Sequence, residues 1–240
     1  MASALMCVCA LNNLPALAGK SLNVFIIIWV CILILPKEKT YRLAGVLFGV
    51  QLRIMGAKLT VKGVENIDPS RPYLVMGNHE SLFDIFAIPA AIPICMVGVE
   101  AAYHFSLPLW GPLITRWGCI PIVRKDLAQA VKSLDKARET LAKGCSIIIL
   151  PEGHRTLTGK VQVFKKGPFF LALQAGADIL PFSFSGFYRY NNKHSLHLNP
   201  GKMVARIGKP IPYESYKGLS VDELRDFVRD TIIGLQKIAT

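Results

Sequence analysis

Between Lys58 and Ile207 the sequence returns seven times to a short apolar run that favours extended backbone. The runs are Lys58–Lys62, Tyr73–Met76, Ile94–Val97, Cys119–Val123, Ser146–Leu150, Ile179–Phe184 and Met203–Ile207. Several carry no polar residue on either face, as in strands covered on both sides, and helical patterns lie between them. In Leu127–Leu141 the residues Leu127, Ala130, Val131, Leu134, Ala137 and Leu141 form one stripe at helical spacing. Ser220-Val221-Asp222-Glu223 is a capping box opening a helix whose inner face is Val221, Leu224, Val228, Ile232 and Leu235. The expected fold is therefore α/β: a mostly parallel central sheet flanked by helices, over residues 58–240.

Residues 1–57 follow a different rule. Ser21–Pro36 holds no charge, with Lys20 before it and Lys37, Lys39 and Arg42 after it. At 16 residues it falls short of the ~20 needed to cross a bilayer core. Tyr41–Ala57 follows as an amphipathic helix. No basic region precedes Ser21 within Met1–Gly19 in the manner of a signal peptide, and no cleavage site follows Leu35. The expectation is an N-terminal membrane-associated helix pair that dips into one leaflet, held by basic residues at anionic headgroups. An ordinary buried helix pair is the alternative.

Charge narrows the partners. The net charge of +12 calls for an acidic one, and 52% hydrophobic residues favour a membrane surface or a phosphorylated lipid. No nucleic-acid motif or aromatic-interleaved basic patch is present, so no nucleic acid is expected. The six cysteines show no zinc spacing and no disulfide framework.

In parallel sheets ligands gather where strands end, and the reactive residue types follow strands here. After Tyr73–Met76 comes Gly77-Asn78-His79-Glu80-Ser81-Leu82-Phe83-Asp84. On one regular helix His79 and Asp84 would point ~140° apart. They can meet only if His79 lies in the turn before a helix and Asp84 in its first turn. A carboxylate that fixes the tautomer of a histidine makes a general base. The plainer alternative is a capping box, Ser81 as N-cap and Asp84 at the third helical position. A metal set of His79, Glu80 and Asp84 matches no two-histidine zinc helix, so no metal is expected. After Ser146–Leu150 comes Pro151-Glu152-Gly153-His154-Arg155-Thr156, where Arg155 can hold phosphate bidentately, Gly153 allows close backbone approach, and Glu152 can take a hydroxyl or steady Arg155. A Walker loop is excluded, since Gly153 and Gly159-Lys160 are separated by five residues and Val161 stands where Ser or Thr belongs. Arg124 follows Gly118–Val123, and Phe164-Lys165-Lys166-Gly167 brings two lysines to a helix start. The apolar stretch Tyr103–Trp117 suits core packing or a lipid-facing rim.

The ordered set Asn78-His79-x-Ser81-x-x-Asp84, Gly118…Arg124, Pro151-Glu152-Gly153-x-Arg155-Thr156 and Ile179-Leu180-Pro181 resembles the four blocks of the glycerolipid acyltransferases. It is most similar to the bacterial 1-acylglycerol-3-phosphate acyltransferases, over about Leu43–Ile211. That resemblance implies a catalytic pair of His79 and Asp84, with Arg124, Glu152, Gly153, Arg155 and Lys165 binding the glycerol phosphate and Pro181 shaping the pocket. It implies no cofactor, with acyl-CoA or an acyl carrier protein thioester as co-substrate, and a bacterial inner membrane location with the catalytic domain on the cytoplasmic side. The expected reaction acylates the free hydroxyl of 1-acyl-glycerol-3-phosphate, giving phosphatidic acid. Another lysolipid or glycerophosphate as acceptor, a hydrolase, and a non-catalytic phospholipid-binding protein are the alternatives. His154 departs from the family, which usually has threonine there, and this bears on substrate choice more than on the reaction.

Overall fold

The computed structural model describes residues 15–122, 127–195 and 197–237. Two helices come first, α1 (Pro15–Ile34) and α2 (Lys37–Ile54), broken at Pro36, whose fixed φ suits the residue before a helix. The α/β part then runs β1 (Ala57–Lys62), β2 (Leu74–Gly77), α3 (Asp84–Ala91), β3 (Met96–Ala101), α4 (Trp110–Trp117), β4 (Ile120–Ile122), α5 (Leu127–Ala142) and β5 (Ser146–Ile149). It continues with α6 (Gly167–Ala175), β6 (Ile179–Ser185), a single turn α7 (Phe187–Tyr190), β7 (Gly201–Ile207) and α8 (Val221–Lys237).

The described strands form one seven-stranded sheet in the order β1-β7-β6-β2-β5-β3-β4. Every neighbouring pair is parallel except β6 with β7, which is antiparallel. The mostly parallel α/β sheet expected from the apolar runs is what forms. Central strands are covered on both faces, which is why β2 reads Leu-Val-Met-Gly with all four residues buried. On one face Val75, Leu180, Phe182 and Phe184 pack with Tyr41 and Leu52 of α2 and Phe83 and Phe86 of the α3 segment. On the other, Leu74, Met76, Ile147 and Ile149 pack with Ala137 and Leu141 of α5, Phe169 of α6, and Leu224, Val228 and Ile232 of α8. Fully burying side chains of this size contributes ~1.5–3 kcal/mol each, so the two layers dominate the stability.

Several boundaries differ from expectation, the first helix among them, which runs over the 20 residues Pro15–Ile34 rather than Ser21–Pro36. β3 begins two residues later than the run Ile94–Val97 and continues to Ala101, because its last three residues pair with the short edge strand β4. The second helix starts at Lys37 rather than Tyr41 and ends at Ile54, since Ala57 already belongs to β1. The capping box at α8 forms as read: Glu223 N–H donates to Ser220 Oγ at 3.3 Å, and Ser220 N–H donates to the Glu223 carboxylate at 2.8 Å.

The helix pair exists, and no helix among the described residues is long and apolar enough to cross a membrane. Its outer side is nonetheless greasy. Ile34, Val46, Val50 and Ile54 are 72%, 65%, 53% and 47% exposed, and the last three lie at i, i+4, i+8 along one face of α2.

Candidate active site

Where β2 ends, Gly77 has no room for a side chain: a Cβ there would lie 2.3 Å from the Phe182 ring. The chain then leaves the sheet. Asn78 fixes the direction by pairing like a backbone amide with β6, its Oδ1 accepting the Phe184 N–H at 2.7 Å and its Nδ2 donating to the Phe184 carbonyl at 2.9 Å. His79 follows in the open turn, and Asp84 is the first residue of α3. This is the one arrangement that lets residues five apart meet, and they do: His79 Nδ1 lies 2.7 Å from Asp84 Oδ2.

The contacts of the capping-box alternative form as well, one turn ahead of the regular helix. Phe83 is the N-cap of α3 and makes no side-chain cap bond. Ser81 Oγ instead accepts the Phe83 N–H at 3.3 Å and donates to the Asn191 carbonyl at 2.9 Å. Asp84 answers Ser81 in return: its Oδ2 accepts the Ser81 N–H at 3.1 Å, and also the Glu80 N–H at 2.7 Å. A carboxylate at a helix N-terminus is favoured by those oriented amides. With three donors on one oxygen, Asp84 is fully buried, whereas the His79 side chain keeps 24% exposure. Asp84 therefore accepts the Nδ1–H hydrogen bond, and the Nε2 lone pair is left for an incoming group.

β5 lies beside β2 in parallel, so its loop opens next to His79. Glu152 is buried, and its two carboxylate oxygens hold different segments: Oε1 accepts the His79 N–H at 2.7 Å, Oε2 the Gln162 N–H at 3.0 Å. Burial pushes its carboxyl above the usual range, opposed by those two N–H donors. The Thr156 N–H closes the link by donating to the His79 carbonyl at 2.8 Å. Gly153 adopts φ +74°, a conformation that disfavours any side chain, and Arg155 is half-buried between Glu152 and Thr156 in sequence. The Lys165 N–H donates to the Pro151 carbonyl at 2.8 Å, bringing the start of α6 to the same loop. Its neighbour Lys166 is committed elsewhere, 2.9 Å from Asp222 of α8.

The structure thus brings together His79, Asp84, Glu152, Gly153, the backbone of Arg155 and Lys165. Arg124 lies outside the described residues. His79, Glu80 and Asp84 do not converge as metal donors, because Glu80 turns away to the Tyr188 N–H at 3.0 Å and Gln236 Nε2 at 2.8 Å. Among the described residues no three such side chains cluster. Sequence reasoning missed Gln162 and Gln236, which act through contacts no local pattern signals.

The arrangement suits acid–base chemistry on a hydroxyl, next to a loop that carries Arg155. The acyltransferase family model matches residues 58–185, which spans both loops. A 1-acyl-sn-glycerol-3-phosphate acyltransferase of Cocos nucifera is 30% identical over 205 residues, covering 82% of this chain and 66% of that protein. The 1-acyl-sn-glycerol-3-phosphate acyltransferase alpha of Ovis aries is 28% identical over 181 residues, 75% of this chain; the chain spans 63% of that relative's length. The crystal structure of the 1-acyl-sn-glycerophosphate acyltransferase of Thermotoga maritima superposes with a TM-score of 0.74 at 25% identity, covering 89% of this chain and 88% of that one. With more than half of its length matched, carrying both the histidine–aspartate turn and the glutamate–arginine loop, the chain belongs to the acyltransferase family.

Proposed function

We propose that this protein transfers a fatty acyl group from a thioester, acyl-CoA or acyl carrier protein, to the free hydroxyl of 1-acyl-glycerol-3-phosphate, giving phosphatidic acid. The observation that carries this is the His79–Asp84 contact of 2.7 Å, with His79 also stitched through its backbone to the Glu152–Thr156 loop. The names of the relatives supply the acceptor.

In this reading Arg155, with Arg124 and Lys165, holds the phosphate so that the acceptor hydroxyl reaches His79 Nε2. The imidazole takes the hydroxyl proton as the oxygen bonds to the thioester carbonyl carbon, and Asp84 stabilises the imidazolium. The tetrahedral intermediate collapses with cleavage of the C–S bond, and the proton passes to the departing thiolate. Positioning adds to general base catalysis, which contributes ~10²–10⁴-fold by itself. Ser81 is no nucleophile in this scheme, since it is fully buried and its hydroxyl is committed to Asn191.

The reaction belongs on a membrane surface. The apolar outer side of α1 and α2 supports this, and so does Leu109, 78% exposed in the loop after β3. Trp29 Nε1 of α1 donates to the Leu109 carbonyl at 3.2 Å, which joins the greasy helix to a loop on the catalytic edge. A bacterial inner membrane, with the α/β domain on the cytoplasmic side, is part of this proposal.

The test is to incubate the purified protein in detergent with lysophosphatidic acid and each donor in turn and to identify the lipid by mass spectrometry. Phosphatidic acid formed from at least one donor is expected. Free fatty acid alone would mean a hydrolase, and activity confined to other lysolipids or glycerophosphate would reassign the acceptor.

A further inference from the structure

Glu80 stands between the reacting pair in sequence yet takes no part in the transfer. It is 3% exposed, and burial together with the nearby Asp84 charge pushes its carboxyl up to about 8. A buried carboxyl costs stability unless its bonds are satisfied, and these are. Oε2 accepts the Tyr188 N–H at 3.0 Å, Oε1 accepts Gln236 Nε2 at 2.8 Å from the last turn of α8, and Asn78 Nδ2 lies 3.5 Å from Oε1. Gln236 Nε2 also reaches the Phe184 carbonyl at 3.3 Å, the same oxygen that holds Asn78.

The turn 78–81 is thus tied to residues 184–191 at three places: Asn78 to Phe184, Glu80 to Tyr188 and Ser81 to Asn191. Among the described bonds of this turn, Glu80 is the one that also reaches α8. Its other end matters as much. The Glu80 N–H donates to the Asp84 oxygen that faces His79, so the peptide between residues 79 and 80 is gripped by Asp84 on one side and by the Glu80 side chain on the other.

Resting on the acyltransferase reading, we propose that Glu80 is a positioning residue, coupled through Gln236 so that the end of α8 sets where the His79 imidazole stands. A helix 156 residues away in sequence would then tune turnover without touching either substrate. A misplacement of about 1 Å in a reacting geometry can cost on the order of 100-fold in rate, so a loosened clamp is expected to show in kcat.

The experiment compares Glu80→Ala, Glu80→Gln, Gln236→Ala and the double variant Glu80→Ala/Gln236→Ala in the full chain, reading kcat, KM for the lysolipid and the thermal midpoint. Gln236→Ala is expected to lower kcat about tenfold with KM within about twofold, and to lower the midpoint by a few degrees, because buried Glu80 loses one donor. Glu80→Ala should lose at least as much, and the double variant no more than Glu80→Ala, because both remove one link. Glu80→Gln should recover part of the loss, its amide oxygen taking the Tyr188 N–H while Gln236 turns its amide to meet it. If Glu80→Ala does not fold, Gln236→Ala decides the matter alone. An active wild type matched in kcat by Gln236→Ala would overturn the clamp, as would losses that multiply in the double variant. A wild type inactive with every donor and acceptor would instead overturn the acyltransferase reading beneath it.

Discussion

Replacing Asp84 by Asn separates charge from shape at the site. Asp84 Oδ2 accepts three donors, two of them the buried N–H groups of Glu80 and Ser81. Those amides require an oxygen, so the introduced asparagine places its side-chain carbonyl where Oδ2 was and turns its NH₂ toward the position of Oδ1, which has no partner. The imidazole then keeps its tautomer and orientation, and the negative charge beside the forming imidazolium is lost. A hydrogen bond to a charged group contributes ~1.5–3 kcal/mol, so kcat should fall about 10- to 150-fold with KM little changed. Asp84→Ala is a different experiment. It strands two buried N–H groups at ~1–3 kcal/mol each, a large share of an ordinary domain's roughly 5–15 kcal/mol, and should impair folding. Thiol release under saturating substrates gives kcat, and urea unfolding gives the stability. An Asp84→Asn protein with wild-type kcat, or an Asp84→Ala protein as stable as wild type, would refute this account of the carboxylate.

Ser81→Ala should keep wild-type turnover within a few-fold and lose about 1 kcal/mol of stability with the bond to Asn191, as read by acyl-transfer rates and urea unfolding. The triple variant Val46→Ser, Val50→Ser, Ile54→Ser trims an exposed stripe; with about 1 kcal/mol per side chain at stake, co-sedimentation with anionic vesicles should drop about tenfold or more while the thermal midpoint holds. The pH dependence of stability should carry the mark of Glu80. Its folded pKa, about 8, lies above its ordinary 4.5, so the folded state binds the proton more tightly, and this contribution is complete below about 4.5 and lost as pH rises toward 8. Glu80→Gln should therefore flatten the decline in unfolding free energy between about pH 5 and 8 relative to wild type, and an identical slope in both proteins would contradict the buried carboxyl.

What the sequence made legible was local. Apolar runs located the strands because β2, β5 and β6 are buried on both faces, and a stripe at helical spacing located α5. The His79–Asp84 contact could be anticipated because an offset of five admits a single geometry. The start of α3 was less readable. Ser81 and Asp84 have the spacing of a capping box, and the Asp84 oxygen that accepts the Ser81 N–H is the same one that meets His79, so the cap reading and the histidine-partner reading fall on one carboxylate. The strand order, the antiparallel β7, the side-chain pairing of Asn78 with β6 and the reach of Gln236 to Glu80 join residues about 106 to 156 positions apart or depend on chain crossovers, and no short pattern encodes them. For Arg124, Arg155 and Lys165 the phosphate-binding reading rests on the family resemblance, and Arg124 lies outside the described residues.

The central claim is that the imidazole of residue 79 removes the acceptor proton. The measurement that bears on it most directly is the turnover of His79→Ala together with its binding of lysophosphatidic acid by calorimetry in detergent. Transfer should fall at least about 100-fold while lysolipid affinity stays within a few-fold of wild type, because the residues proposed to hold the phosphate are untouched. A His79→Ala protein that binds the lysolipid and transfers acyl groups at the wild-type rate would contradict the mechanism.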